Sequence, residues 1–191
     1  MYCRICNFET KTFLDLGNSP PANALLCKPL KNIDKFPLLL EFCPSCRSIQ
    51  LQDCLNHKDL YKHYFYETPK SETLYKHYNY LTNFLTTRNY LTKSSNVVEI
   101  GSNIGDYLEF IKPKVSSILG VDPAENIADK ANKKGIPTIP NFFNLKVAED
   151  IIREYGKSNL IVARHCFAHN SSPHKLLKAA KKLLSDEGNL V

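Results

Sequence analysis

The chain has 191 residues, with 25 Lys and Arg against 19 Asp and Glu for a formal charge of +6, and is 43% apolar and 10% aromatic. This is close to the composition of an average globular protein, which excludes a disordered tail, and the length excludes a large two-domain enzyme. The longest uncharged apolar stretches, such as 36–40 and 160–163, fall far short of the roughly 18 to 20 residues that span a bilayer, so no membrane partner is expected.

At the N-terminus, Met1-Tyr2-Cys3-Arg4-Ile5-Cys6 has neither the apolar centre of a secretory signal nor the Arg/Ser-rich pattern of a transit peptide, and a cytoplasmic location is expected. Four of the seven cysteines form two pairs, Cys3-x-x-Cys6 and Cys43-x-x-Cys46. Two thiolates from one tight turn reach the same tetrahedral metal at this spacing, and a reducing compartment disfavours disulfides. A redox CxxC site would need one pair at a helix start after a strand, a context neither pair has. The expectation is a closed, structural zinc site on Cys3, Cys6, Cys43 and Cys46, with the intervening chain looping out past Asn18-Ser19-Pro20-Pro21. Zinc on four thiolates would change the formal charge of +6 to about +4. Cys27, Cys54 and Cys166 read as buried thiols, and His57 and His63 are not needed as ligands.

Residues 59–95 are an aromatic-rich connector in which Tyr75, Tyr78 and Leu81 fall at helical packing spacing. From residue 96 the texture alternates. Strands are expected at 97–101, 117–121, 136–139 and 159–163, and helices at 106–112, 126–134, 146–155 and 173–185. Repeated βα units imply a doubly wound parallel sheet. In the last helix Lys175, Lys178, Lys181 and Lys182 oppose a stripe of Leu176, Leu177, Ala180, Leu183 and Leu184, so the basic cluster is a solvated helix face. Scattered charge of this kind gives no nucleic-acid groove.

The first of these strands runs into Glu99-Ile100-Gly101-Ser102-Asn103-Ile104-Gly105, and the second ends in Gly120-Val121-Asp122-Pro123. Gly101 lets the chain turn over the strand end, and Gly105 lets a helix start approach a ligand. Asp122, about 20 residues after the glycines, stands where a ribose diol is held in such crevices. The glycine spacing is not that of the dinucleotide fingerprint, and there is no P-loop. The pattern resembles the first motif of class I S-adenosylmethionine-dependent methyltransferases.

The four-cysteine lobe before such a sheet resembles the N-terminal half of the sugar-nucleotide C-methyltransferases that modify deoxysugars. Matching stretches include Leu16-Gly17-Asn18-Ser19-Pro20-Pro21-Ala22-Asn23, Tyr64-Phe65-Tyr66 with Ser71 and His77, the two strand-end motifs, Phe142-Phe143 and Ala163-Arg164-His165. The resemblance implies a zinc-binding lobe at 1–58, a connector at 59–95 and a partial methyltransferase domain at 96–191. It implies S-adenosylmethionine contacts from Glu99, Gly101, Ser102, Asn103, Gly105, Asp122, Pro123, Phe142, Arg164 and His165, and a small-molecule keto deoxysugar nucleotide as acceptor. Tyr64, Tyr66 and His165 are the candidate catalytic groups in this chain, because the family's Tyr-x-Glu-His base motif is not in the sequence. The tyrosines serve equally well as connector packing. Ile104 stands where the family usually carries Asp, so one polar group of the cofactor loop is lost. The chain reaches only the opening of a fifth strand, so the sheet is expected to be incomplete, with an open edge available for association. The alternative is a catalytically silent chain that keeps the zinc lobe and a weakened cofactor site.

Overall fold

The computed structural model describes residues 1–22, 32–52, 55, 60–61 and 64–191. Asn23, Cys27, Cys54, His57 and His63 lie outside the described residues. The chain divides into two compact units, Met1–Tyr66 with Ser171–His174, and Glu67–Asn170 with Lys175–Val191.

The first unit is built on an antiparallel sheet of β1 (Lys11–Ser19), β2 (Phe36–Phe42) and β3 (Ile49–Leu51), in that order. Pro37 fits into the middle strand because β3 pairs only with residues 40–42, leaving β2 locally at an edge there. Leu14 pairs with Leu40, Leu40 with Leu51, and Phe42 with Ile49. Because strand side chains alternate, these residues share one face with Phe36 and Leu38, while Thr12, Glu41 and Gln50 lie on the other. The polar face holds the buried group: Glu41 is 2% exposed and accepts hydrogen bonds from Thr10 Oγ1 at 2.5 Å and Thr12 Oγ1 at 2.6 Å. These two hydroxyls hold its carboxyl below the usual range, against the opposing effect of burial. Among the described residues from Met1 to Tyr66, only Cys3, Thr10, Glu41 and Cys43 are buried. No hydrophobic core forms among these described residues.

The second unit starts with α1 (Glu72–Thr87), whose Ser71 cap accepts from the Leu74 N–H at 3.2 Å. Then β4 (Asn96–Ile100), α2 (Asp106–Ile111), β5 (Ser117–Val121), α3 (Glu125–Lys133), β6 (Thr138–Ile139), α4 (Leu145–Tyr155), β7 (Ser158–Val162), α5 (Pro173–Leu183) and β8 (Leu184–Leu190) follow. The sheet order is β6-β5-β4-β7-β8, and all its pairings are parallel. Adjacent strand residues serve opposite faces. Val98, Ile100, Val121 and Ile161 pack with Val147, Ile151, Leu176 and Leu183 of α4 and α5, and Val97, Ile118, Leu160 and Val162 pack with Tyr78, Leu85, Leu108 and Ile111 of α1 and α2. The chain winds outward from β4 to β5 and β6 and then crosses back to β7 on the other side of β4, so the C-terminal end of β4 lies at a switch point, where open α/β sheets bind ligands.

Several boundaries differ from the sequence reading. The strand expected at 136–139 is confined to Thr138–Ile139, because Ile136 turns inward to 1% exposure and its N–H closes the end of α3 on Ala131 O. The last helix stops at Leu183 rather than 185, and β8 pairs with β7 through a register shift between Ser158 and Leu160. A fifth strand is therefore formed and paired with β7. In α5 Leu177 is 40% exposed and Ala179 takes the buried place expected for it. Among the described residues no helix is long and apolar enough to cross a membrane.

Gly105 is the N-cap of α2 at φ 77°, and a Cβ there would fall 2.7 Å from Ile136 Cγ2. Left-handed backbone costs a side chain about 1–2 kcal/mol, and crowding a packed site costs about 1–3 kcal/mol more. Gly105→Ala should therefore lower unfolding stability in urea by about 2 kcal/mol or more, with an unchanged denaturant slope. A loss below about 0.5 kcal/mol would contradict this packing.

Candidate cofactor crevice and metal centre

The two CxxC segments fold into the same turn. In each, the first cysteine's N–H donates to the carbonyl five residues on (Cys3 to Phe8, 2.8 Å; Cys43 to Ser48, 2.9 Å). Its own carbonyl accepts from the residue four on (Asn7, 2.9 Å; Arg47, 2.8 Å). Asn7 and Arg47 both lie in the left-handed region, at φ 59° and 61°. The repeated turn aims all four sulfurs inward, within 4.8 Å of one another, with Cys3–Cys46 at 3.6 Å and Cys6–Cys43 at 3.5 Å. Four thiolates at the usual Zn–S distance of about 2.3 Å lie about 3.8 Å apart along tetrahedron edges. The donor set fits zinc and leaves no ligand position for water.

Ser48 Oγ lies 3.2 Å from both Cys3 Sγ and Cys46 Sγ. Burial raises the Cys3 thiol, but hydrogen bonds from Ser48 and from the backbone of Cys6 and Ile5 outweigh it and bring the group down to about 6. Cys46 is lowered by the same serine. For Cys43, backbone hydrogen bonding from Cys46 is outweighed by burial and the Cys6 thiol, and the group rises to about 11.

The second unit builds a crevice at the ends of β4 and β5. Gly101, Asn103 and Gly105 all have positive φ, at 68°, 51° and 77°, and the segment between them is a tight loop closed by Gly105 N–H on Ser102 O at 3.0 Å. A Cβ on Gly101 would lie 2.8 Å from Cys166 Cβ. Asp122 anchors the loop. One carboxylate oxygen accepts the Asn103 N–H at 2.8 Å and the other the Ala124 N–H at 3.0 Å. Burial raises its proton affinity, and these two N–H groups oppose the rise. Asn103 Oδ1 in turn accepts from Thr68 N–H at 2.9 Å and Thr68 Oγ1 at 3.2 Å.

Behind the loop, Glu99 is 1% exposed. Its Oε1 accepts from Arg164 Nε at 3.0 Å and Nη2 at 2.7 Å. Burial pushes Glu99 up to about 7, and the Arg164 charge holds it from rising further. Glu99 Oε2 and Ser102 Oγ are buried with no hydrogen-bond partner among the described residues. Pro123 is half-buried beside Asp122, and Phe142 is half-buried before Phe143 of the core. His165 is exposed, at φ 53°. Ile104 is 5% exposed and turns into protein, so it offers the crevice no polar group. Tyr64 and Tyr66 belong to the first unit, where their rings meet edge-on at 6.3 Å.

A family described as “Methyltransferase domain” matches residues 72–191. The chain belongs to the methyltransferase-domain family. A second family, described as “Putative zinc binding domain”, matches residues 3–61. A relative, the C-methyltransferase NovU of Streptomyces niveus, is 33% identical over 191 residues, or 97% of this chain and 45% of its own length. The chain thus spans less than half of the curated relative it matches. Among solved structures, an S-adenosylmethionine-dependent methyltransferase of Clostridium acetobutylicum is 17% identical, with a TM-score of 0.48, over 59% of this chain and 47% of that one. The YcgJ protein of Bacillus subtilis is 20% identical, with a TM-score of 0.47, over 58% and 47%. Neither structural likeness is close enough to bear on function.

S-adenosylmethionine is the cofactor implied for this methyltransferase chain, and zinc the metal. The crevice fits the cofactor on its own features: a glycine-turned loop, a buried carboxylate at the next strand end, and two orphaned buried oxygens. The sequence reading did not single out Ser48, Thr68, Tyr107 or the Glu99–Arg164 pairing, because no local spacing signals a contact across 65 residues.

The purified chain should contain about one zinc per molecule by metal analysis, since four thiolates close one tetrahedral shell. Cys43→Ser should lose it and Cys166→Ser, which alters a thiol outside the cluster, should keep it. Retention should also fail on acidification, because protons compete for the thiolates.

Proposed function

We propose that this chain supplies the zinc-binding and cofactor-binding part of an S-adenosylmethionine-dependent C-methyltransferase whose acceptor is a keto deoxysugar nucleotide. The observation that carries the cofactor half is the Asp122 carboxylate at the end of β5, anchored to the glycine loop through Asn103 N–H at 2.8 Å. The acceptor half rests on the relative, a C-methyltransferase aligned over 97% of this chain, and on the resemblance in the sequence.

In this reading Asp122 accepts hydrogen bonds from the ribose hydroxyls with lone pairs that its two backbone donors leave free. Gly101, Ser102, Asn103 and Gly105 form the loop against which the cofactor lies, Pro123 and Phe142 border the adenine, and His165 stands near the methionine portion. Glu99 Oε2 faces it as an acceptor. When bound, the cofactor supplies an electrophilic sulfonium methyl group. Methylation at carbon next to a ketone requires a base to remove a proton and a group to stabilise the enolate oxygen. No residue of this chain is assigned either role. Tyr64 and Tyr66 remain candidates for approaching the acceptor. The zinc lobe is structural, since its closed sulfur shell leaves no ligand position for substrate.

Titration calorimetry with S-adenosylhomocysteine should give saturable binding to the purified chain. Losing a charge-assisted hydrogen bond costs about 1.5–3 kcal/mol, so Asp122→Asn should weaken binding by about tenfold or more. No detectable binding at millimolar ligand would overturn the cofactor reading, and binding with no methyl transfer to any keto sugar nucleotide, even with the remainder of a full-length relative supplied, would favour a silent cofactor-binding chain.

A further inference from the structure

Arg164 follows β7 and Glu99 is the penultimate residue of β4, and the two meet below the cofactor loop. The guanidinium spends Nε and Nη2 on a single carboxylate oxygen, at 3.0 and 2.7 Å. Its plane is covered by two tyrosine rings, with the Cζ atom 4.9 Å from the Tyr78 centroid and 4.5 Å from that of Tyr107. Tyr78 comes from α1 and is 2% exposed, and Tyr107 comes from α2 and is fully buried. The Tyr107 hydroxyl lies 3.5 Å from Thr82 Oγ1, so α1 also holds the second ring. Arg164 is therefore fixed by an ion pair and two cation–π contacts, each stronger away from water. Its side chain is only 18% exposed. The geometry leaves Glu99 with Oε1 fully engaged and Oε2 buried and unpartnered.

We infer that Arg164 is a positioning residue that acts through Glu99: it holds the carboxylate in one orientation, so that Oε2 is presented to the cofactor, while Tyr78 and Tyr107 lock the guanidinium in place. This rests on the reading of the crevice as a cofactor site, and it departs from the expectation that Arg164 itself contacts the cofactor. With two of its donors on one oxygen and two rings against its carbon, the guanidinium has its orientation fixed by the protein. The role also gives α1 a function in the site, since a shift of Tyr78 or Thr82 would reach Glu99 through Arg164.

The electrostatics agree in sign. Burial raises Glu99, the Arg164 charge lowers it, and Asp122 and Asp106 raise it. Tyr107, Tyr78 and Cys166 also face this cluster, but burial raises all three, so they stay neutral near neutral pH. Removing the guanidinium leaves only the raising influences. Glu99 then keeps its proton to higher pH, and binding that needs the carboxylate is lost from the acid side upward.

The test combines two readouts on the full chain. In the first, S-adenosylhomocysteine affinity is measured across pH for wild type, Arg164→Lys, Arg164→Gln and Glu99→Gln, with folding checked by circular dichroism. The midpoint of the acid-side loss should rise by about one pH unit or more in Arg164→Gln and less in Arg164→Lys, while Glu99→Gln should bind weakly throughout and keep only the acid-side loss that Asp122 imposes. The second follows the Glu99 carboxyl carbon by nuclear magnetic resonance without ligand, and its titration should move up in Arg164→Gln by the same amount. An unmoved Glu99 titration in a folded Arg164→Gln chain would overturn the positioning role. Wild type that fails to bind at any pH, with the Glu99 titration moved as expected, would instead overturn the cofactor reading and with it the presentation of Oε2.

Discussion

Asp122 extends the pairing of β4 and β5 past the strand ends, where Gly101 N–H still reaches Val121 O at 2.8 Å, into the loop that follows. Its oxygens hold the Asn103 N–H of the loop after β4 and the Ala124 N–H of the turn after β5, at 2.8 and 3.0 Å. The carboxylate is 7% exposed, so these bonds form where water competes little. The loop they hold consists of residues that side-chain sterics disfavour, with three positive φ values within five positions. The anchor acts together with the Gly105 N–H to Ser102 O bond and the Thr68 bonds to Asn103 Oδ1, which hold the same loop. The carboxylate thus helps set the geometry on which the cofactor reading depends, and it retains the lone pairs that a ribose needs.

The first unit solves a different problem. Its sheet leaves Leu14, Phe42, Ile49 and Leu51 at 36–60% exposure, while the buried positions among the described residues go to two cysteines, a threonine and a glutamate. Such a lobe cannot be held by apolar burial, and a four-thiolate metal, on the order of 10 kcal/mol in small zinc peptides, supplies the missing free energy. The paired knuckles with left-handed Asn7 and Arg47 show how little chain is needed once a metal closes the loop between them. Zinc here serves the fold.

Much of this was legible in the sequence because it rests on local rules. The CxxC spacing located the metal cluster, the alternation of apolar runs located the strands, and Asp122 after the glycines located the crevice. Other features depend on residues far apart in the chain. Glu99 and Arg164 were both assigned to the cofactor, yet they pair with each other, and the tyrosines that cover Arg164 come from two helices that only the folded sheet brings together. Leu177 met the helical period, but Ala179 faces the core, because stripe edges follow packing rather than spacing alone. The sequence marked only the opening of β8, because Ser185, Asp186 and Glu187 resemble a helix end, and its pairing depends on a register shift.

The central claim is that the ends of β4 and β5 receive the nucleoside of S-adenosylmethionine. Amide hydrogen exchange measured with and without saturating S-adenosylhomocysteine tests it most directly, because the readout is local. The account predicts slowed exchange confined chiefly to residues 101–105 and 122–124, with the zinc lobe unchanged. Protection that falls on the zinc lobe, or none at the loop while ligand is bound, would contradict it.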